Sequence, residues 1–138
     1  MIDFTDSLDG IAAENLAGFF IDWGWPNPPS PETHLRLLRN SDNVVLAVDD
    51  TTGSVAGYIT AISDGVLSAY IPLLEVLRPY QDQGIGSELV RRMLDTLSHL
   101  YMIDLLCDED VQPFYERLGM RRATGMFIRN YDKQSGAG

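Results

Sequence analysis

The stretch Leu74-Glu75-Val76-Leu77-Arg78-Pro79-Tyr80-Gln81-Asp82-Gln83-Gly84-Ile85-Gly86-Ser87 decides how this chain is read. An apolar strand breaks at Pro79, and the chain re-enters a helix through two glycines. In that helix Ile85, Leu89, Val90, Met93, Leu94 and Leu97 recur at helical spacing, while Glu88, Arg91, Arg92 and Asp95 fall on the opposite face. A strand–turn–helix junction of this kind aims successive backbone N–H groups into one concavity at the positive end of the helix dipole. Glycine lets phosphate oxygens approach without meeting a Cβ. The guest that fits is a pyrophosphate. No Lys-Ser/Thr follows as in a P-loop, and Leu89 stands where the dinucleotide fingerprint places its third glycine. The glycine spacing taken alone also describes a turn that merely reverses the chain.

Outward from this junction the chain reads as alternating elements. A short strand spans about Ile2 to Thr5, and a helix is predicted from Gly10 to Phe20, capped by Ser7 or Asp9. Three prolines make Trp23 to Ser30 a loop. A second helix opens with Ser30 as cap, Pro31 at its first position and Glu32 in its first turn, and ends near Asn40. Val44–Val48 and Val55–Ile62 read as strands, and Asp64-Gly65 as a two-residue hairpin into a long strand from Val66 to Leu77. Beyond the glycine-led helix come a buried strand Met102–Cys107, a short helix Val111–Leu118 closed by Gly119, and a final strand Ala123–Tyr131. The tail Gln134–Gly138 reads as disordered.

With 138 residues, 45% of them hydrophobic and 22% charged, the chain is expected to form one compact domain over 1–138. It shows no basic n-region followed by an apolar run, and no stretch of the ~20 apolar residues that a membrane span requires. A soluble protein of the cytoplasm is therefore expected, with no membrane partner. The lone Cys107 excludes an intramolecular disulfide, and the two histidines, His34 and His99, have no zinc-site spacing, so no metal is expected. Both histidines read as surface residues on helices, and Cys107 as a small buried strand residue. The net charge of −10 disfavours non-specific nucleic-acid binding. It would attract a cationic substrate such as a polyamine, an aminoglycoside or a basic peptide, although acidity also serves solubility.

Gln81-x-x-Gly84-x-Gly86, behind a long strand and ahead of an amphipathic helix, resembles the Arg/Gln-x-x-Gly-x-Gly/Ala signature of the GCN5-related N-acetyltransferase (GNAT) family. Pro113-Phe114-Tyr115-Glu116-Arg117-Leu118-Gly119-Met120 resembles that family's second hallmark, the helix Phe-Tyr-x-x-x-Gly-Phe. The resemblance covers Val44 to Tyr131. It implies an α+β fold with a mixed, mostly antiparallel central sheet and helices on both faces. It also implies acetyl-coenzyme A as co-substrate, an amine-bearing acceptor, and direct attack in a ternary complex.

By the same resemblance, the pantetheine arm lies along the backbone of Leu74, Glu75 and Val76, where a bulge splays two strands. The pyrophosphate sits on the amides of Asp82, Gln83, Gly84, Ile85, Gly86 and Ser87, behind Gln81. Asp82 departs mildly from the pattern, because an acidic side chain repels a diphosphate unless it points to water. Tyr115 matches the tyrosine that protonates the leaving thiolate; its other reading is a tyrosine packed against Phe114. Asp108 matches a position where relatives carry an asparagine bonded to the pantetheine.

For the general base the chain offers Glu75, Asp104 and Asp108, and Glu75 ranks first, because period-two alternation sets it on the face opposite Leu74 and Val76. Each of these carboxylates, taken singly, reads equally as a cap or an edge charge. Trp23, Trp25 and the prolines through Pro31 lie where relatives build the acceptor pocket, or else simply close a loop over the core. Two further readings stay open: an acyl-coenzyme A binding or sensing module without turnover, and an exposed sheet edge that forms a homodimer.

Overall fold

In the computed structural model, which describes residues 1–137, the sheet grows around two long neighbouring strands, β2 (Asn43–Asp49) and β3 (Val55–Ser63). β1 (Ile2–Thr5) pairs antiparallel with the outer edge of β2. On the other side β3 takes two antiparallel partners in succession, β4 (Ser68–Tyr70) at one end and β5 (Leu74–Val76) at the other. β6 (Met102–Asp104) runs parallel to β4. The six-stranded order is β1-β2-β3-β4-β6, with β5 beside β3.

Alternation along β2 sorts its side chains between two cores. Val45 and Ala47 pack with Ile59, Ala61 and the buried face of α2 (Ile85–Thr96), which supplies Leu89, Val90 and Met93. Val44 and Leu46 face the other way, onto Leu35 and Leu38 of α1 (Pro31–Asn40), together with Leu16, Phe19, Phe20 and Tyr58. Helices therefore cover both faces of a mostly antiparallel sheet, as expected. Full burial of one such side chain, Leu38 or Leu89, contributes on the order of 2 kcal/mol. Gly57 lets β5 lie close to β3: a Cβ there would sit 3.1 Å from the Glu75 carbonyl and 3.3 Å from Leu89.

α1 starts as its cap residues predict. The Ser30 hydroxyl accepts the Thr33 N–H at 3.1 Å, and Pro31 opens the helix. The segment 10–20 departs from expectation. Its only helical turn is the 3-10 turn Ala13–Leu16, because Gly10, Gly18 and Phe20 all take positive φ and interrupt any longer helix. Ser7 does not cap a helix; its hydroxyl accepts the Asp9 N–H.

The turn at Asp64-Gly65 is also wider than two residues. The Asp64 carboxylate collects the N–H groups of Val66, Leu67 and Ser68 at 2.8, 2.8 and 3.2 Å, which delays β4 to Ser68. Those three donors hold the Asp64 pKa down to about 2.

Four expectations about packing change as well. The long strand 66–77 is divided into β4 and β5 by Ile71-Pro72-Leu73. β6 ends at Asp104, so Cys107 lies half-buried beyond it rather than within a buried strand. Residues 123–131 form no strand; 123–126 line a groove beside the end of β6, where a Cβ on Gly125 would lie 2.5 Å from Leu106. The tail is docked over residues 134–137, where the Arg36 guanidinium donates to the Gly136 carbonyl at 2.6 Å; Gly138 lies outside the described residues.

His34 is the sharpest reversal, being 1% exposed instead of on the surface. Its ring meets Phe19, Phe20 and Tyr58 edge-on, with centroids 5.3, 4.9 and 4.5 Å away, and neither nitrogen has a partner. Burial pushes its pKa down to about 4, so the folded state holds it neutral while the unfolded chain binds a proton below about 6.5. Stability is thus lost as pH falls through that window, by up to about 3 kcal/mol. Urea titrations from pH 7 to pH 4 are expected to show a steeper decline for the wild type than for His34→Phe; parallel curves would mean that His34 does not titrate with unfolding.

Candidate active site

The break at Ile71-Pro72-Leu73 opens a gap in the sheet. The Ile71 N–H donates to the Asp104 carbonyl at 2.9 Å, the last bond that β6 makes to this strand, while β5 continues on β3 alone. On β5 the backbone groups of Leu73 and Leu77 face β3: the Leu73 carbonyl accepts from Thr60, and the Leu77 N–H donates to Ala56. By the two-residue alternation, the N–H groups of Leu74 and Val76 point the other way, into the gap. They form a free edge to which an extended chain can add.

The turn between β5 and α2 is held rigidly from below. The Gln81 Nε2 donates to the Val76 carbonyl at 2.9 Å, and the Tyr80 hydroxyl donates to Asp49 at 2.7 Å, which lowers the Asp49 pKa. Gln81 thus faces the strand it follows, and its contribution is to fix the turn. Asp82 and Gly84 take φ of +64° and +82°, so the chain reverses twice before α2 begins. A Cβ on Gly84 would meet nothing within 4 Å, which leaves the concavity open.

The first helical bond to Gly84 comes from Glu88, so the N–H groups of Asp82, Gln83, Gly84, Ile85, Gly86 and Ser87 have no acceptor among the described residues. Six successive free donors at the N-terminus of a twelve-residue helix suit the oxygens of a diphosphate. Asp82 and Gln83 are exposed, so the Asp82 carboxylate has room to turn to water.

The 3-10 turn Glu109–Val111 leads into α3 (Gln112–Glu116), which carries Phe114 and Tyr115. The Gly119 φ of +98° ends it, with the Met120 N–H on the Tyr115 carbonyl at 3.1 Å. Phe114 reaches over the start of α2, so that a Cβ on Gly86 would lie 3.7 Å from its Cζ. The second sequence hallmark therefore touches the first. Tyr115 is buried in the α2-side core with Leu74, Val76 and Ile85 packed against or within it. Desolvation pushes its hydroxyl pKa up to about 12, which keeps the proton on the oxygen throughout the physiological range.

Glu75 lies on the opposite face of the sheet, across from Tyr58 and 6% exposed. Its Oε1 accepts the Phe20 N–H at 2.9 Å, and burial raises its pKa. Phe20 takes a φ of +72°, a strained setting for an aromatic residue, and this bond fixes it there. Trp23 and Trp25 pack against Phe20 at 5.3 and 5.6 Å and against each other at 5.4 Å. In the structure Leu74, Val76 and Tyr115 pack in the α2-side core, while Glu75 lies on the other face with Phe20 and the two tryptophans.

Asp104 and Asp108 are exposed, Asp104 at the end of β6 and Asp108 just ahead of the 3-10 turn leading to α3. Tyr58 and Phe20 were not foreseen. Tyr58 reads as one more apolar strand residue, and the Phe20 amide meets Glu75 across 55 positions of sequence.

A parallel-and-antiparallel sheet that splits beside a diphosphate-shaped turn defines the acyl-coenzyme A acyltransferase class of fold. The Acetyltransferase (GNAT) family matches residues 10–120, and the chain belongs to that family. Over 89 residues it is 35% identical to GCN5-related N-acetyltransferase 3, chloroplastic, of Arabidopsis thaliana; the match covers 59% of this chain and 38% of that relative's length. A crystal structure of a protein from Deinococcus radiodurans R1, assigned as an acetyltransferase, is 52% identical and superposes with a TM-score of 0.94 over 99% of this chain and 94% of that one. A GNAT family acetyltransferase from Streptococcus pneumoniae TIGR4 is 29% identical, with a TM-score of 0.75 over 94% and 98% of the two chains.

The Glu75–Phe20 bond yields a test of how this site is held. Glu75→Ala leaves the Phe20 amide buried without an acceptor and is expected to cost about 1–3 kcal/mol, whereas Glu75→Gln keeps an acceptor oxygen and costs less. Urea unfolding at pH 7 reads the difference, and equal losses in the two variants would show that the bond does not anchor the loop.

Proposed function

We propose that the protein transfers an acetyl group from acetyl-coenzyme A to a primary amine of a small molecule or peptide, by direct attack in a ternary complex. The observation that carries this reading is the row of six unpartnered amides, Asp82 to Ser87, beside the free edge of Leu74 and Val76. The amides hold the diphosphate, and the strand edge aligns the extended pantetheine arm as an added strand. The bound donor supplies an activated thioester. Tyr115, protonated and desolvated, gives its proton to the departing sulfur. Asp108, ahead of α3, faces solvent near where the arm would end.

On the acceptor side, Glu75 takes a proton from the attacking amine. Its Oε1 is engaged with Phe20, which leaves Oε2 for that role, and its raised pKa suits a base working near neutrality. The Trp23, Trp25 and Phe20 cluster gives apolar walls to the acceptor, and the net charge of −10 favours a cationic one. Orienting a neutral amine against a bound thioester supplies several orders of magnitude of rate.

A thiol-release assay with acetyl-coenzyme A and a panel of primary amines is expected to show turnover. Coenzyme A binding without thiol release from any amine would favour the acyl-coenzyme A binding module instead. Tyr115→Phe is expected to lower kcat by about a hundredfold or more while changing the Kd for coenzyme A by less than about threefold. Because Tyr115 keeps its proton up to about pH 12, kcat should show no loss through tyrosine ionisation at pH 9 to 10. An alkaline limb in that range, absent from the Tyr115→Phe variant, would show that the Tyr115 hydroxyl ionises well below pH 12 in the enzyme.

A further inference from the structure

The turn that carries the free amides has little of its own to hold it. Gln81, Asp82, Gln83 and Gly84 are all exposed, and Asp82 and Gly84 take positive φ. Exposed donors that bond to nothing around them keep one shape only where the chain is fastened from outside. Gln81 supplies one fastening, through an exposed bond to the Val76 carbonyl five residues back. Tyr80 supplies the other, and it reaches much further.

Tyr80 closes the 3-10 turn Arg78–Tyr80, directly ahead of the amides. Its ring packs half-buried against the α2-side core, and its hydroxyl donates to Asp49 Oδ2 at 2.7 Å across 31 positions of sequence. A short O–H···O⁻ bond is among the stronger ones a protein makes. Asp49 is itself fixed in place. It ends β2 in register with Ile2 of β1, its Oδ1 accepts the Thr51 N–H at 3.0 Å, and its own N–H and carbonyl bond Ser54 and Gly53 at 2.9 and 2.8 Å. The Tyr80 bond lowers the Asp49 pKa and raises that of the Tyr80 hydroxyl, so both keep, around neutral pH, the protonation states that the bond requires.

Taking the turn as the diphosphate site proposed above, on which this inference rests, we propose that Tyr80 and Asp49 are positioning residues for the acyl donor. Neither donates to the diphosphate, but their bond fixes the turn in the shape in which the amides of Asp82 to Ser87 converge. With the pin in place those donors are ordered before the ligand arrives; without it, binding has to order them, and affinity falls accordingly. The loss is confined to ligands that carry a diphosphate. A pantetheine chain without one uses only the edge of Leu74 and Val76, which β3 holds independently of Tyr80.

Affinities for coenzyme A and for pantetheine, read by calorimetry and by NMR titration, separate this role from a merely structural one. Tyr80→Phe is expected to raise the Kd for coenzyme A by about tenfold while leaving that for pantetheine within about twofold of the wild type. Asp49→Ala should lose as much, and Asp49→Asn, which keeps an acceptor oxygen, should recover most of it. Because the two side chains act through one bond, Tyr80→Phe combined with Asp49→Ala should be no weaker than either alone. Circular dichroism checks that each variant is folded. Three results would each overturn the proposal: coenzyme A affinity within about twofold of the wild type in both single variants, equal losses for the two ligands, or losses that add in the combined variant. A wild type that binds no coenzyme A would overturn the diphosphate reading itself, whereas tight wild-type binding with indifferent variants removes only the part given to Tyr80 and Asp49.

Discussion

Everything at the site depends on one interrupted strand. Where a continuous strand from Val66 to Leu77 would have paired with a neighbour on each side, Pro72 and its flanking residues split it so that both halves keep β3 and only the first keeps β6. Proline has no N–H to offer a ladder, and the chain bends where it stands. The amides of Leu74 and Val76 lose their neighbour at that point, and α2 begins only nine residues after β5 ends. A strand edge and a helix N-terminus, two ordinary sources of unpartnered donors, are thereby brought side by side.

The unpartnered amides of the turn have distinctive surroundings. Around Asp82 to Ser87 the turn is pinned by Gln81 on Val76 and by Tyr80 on Asp49, the φ values are positive, and the helix dipole adds to the donors. That is an electropositive turn suited to a compact anion.

The sheet also divides the chemistry. Tyr115 belongs to the α2 side, and Glu75 to the α1 side with Tyr58, His34 and the aromatic loop. The proposed acid, Tyr115, and the proposed base, Glu75, lie on opposite faces and could serve one reaction only through the gap that the interrupted strand opens. The α1 side carries the costlier arrangement. His34, Tyr58 and Thr60 have buried polar atoms without partners, Glu75 is desolvated, and Phe20, whose amide bonds Glu75, takes a positive φ. Buried polar groups of this kind cost free energy that the surrounding packing must offset, and such costs gather where function rather than stability sets the residue.

The sequence by itself determined the cap of α1 at Ser30-Pro31, the amphipathic α2, the glycine turn and the Phe-Tyr helix. Each of these is a matter of periodicity or of contacts within a few residues, which a linear reading contains. Positive φ at Gly10, Gly18 and Phe20 broke a helix that the apolar spacing alone supported, and the Asp64 carboxylate widened a hairpin by taking three amides. Only the tertiary structure decided that the strand would split, that His34 would be enclosed by Phe19, Phe20 and Tyr58, that Glu75 would take the Phe20 amide, and that residues 123–131 would form no strand. Those outcomes depend on which distant residues meet, and propensity along the chain carries no record of the neighbour that a strand or a buried polar atom will have.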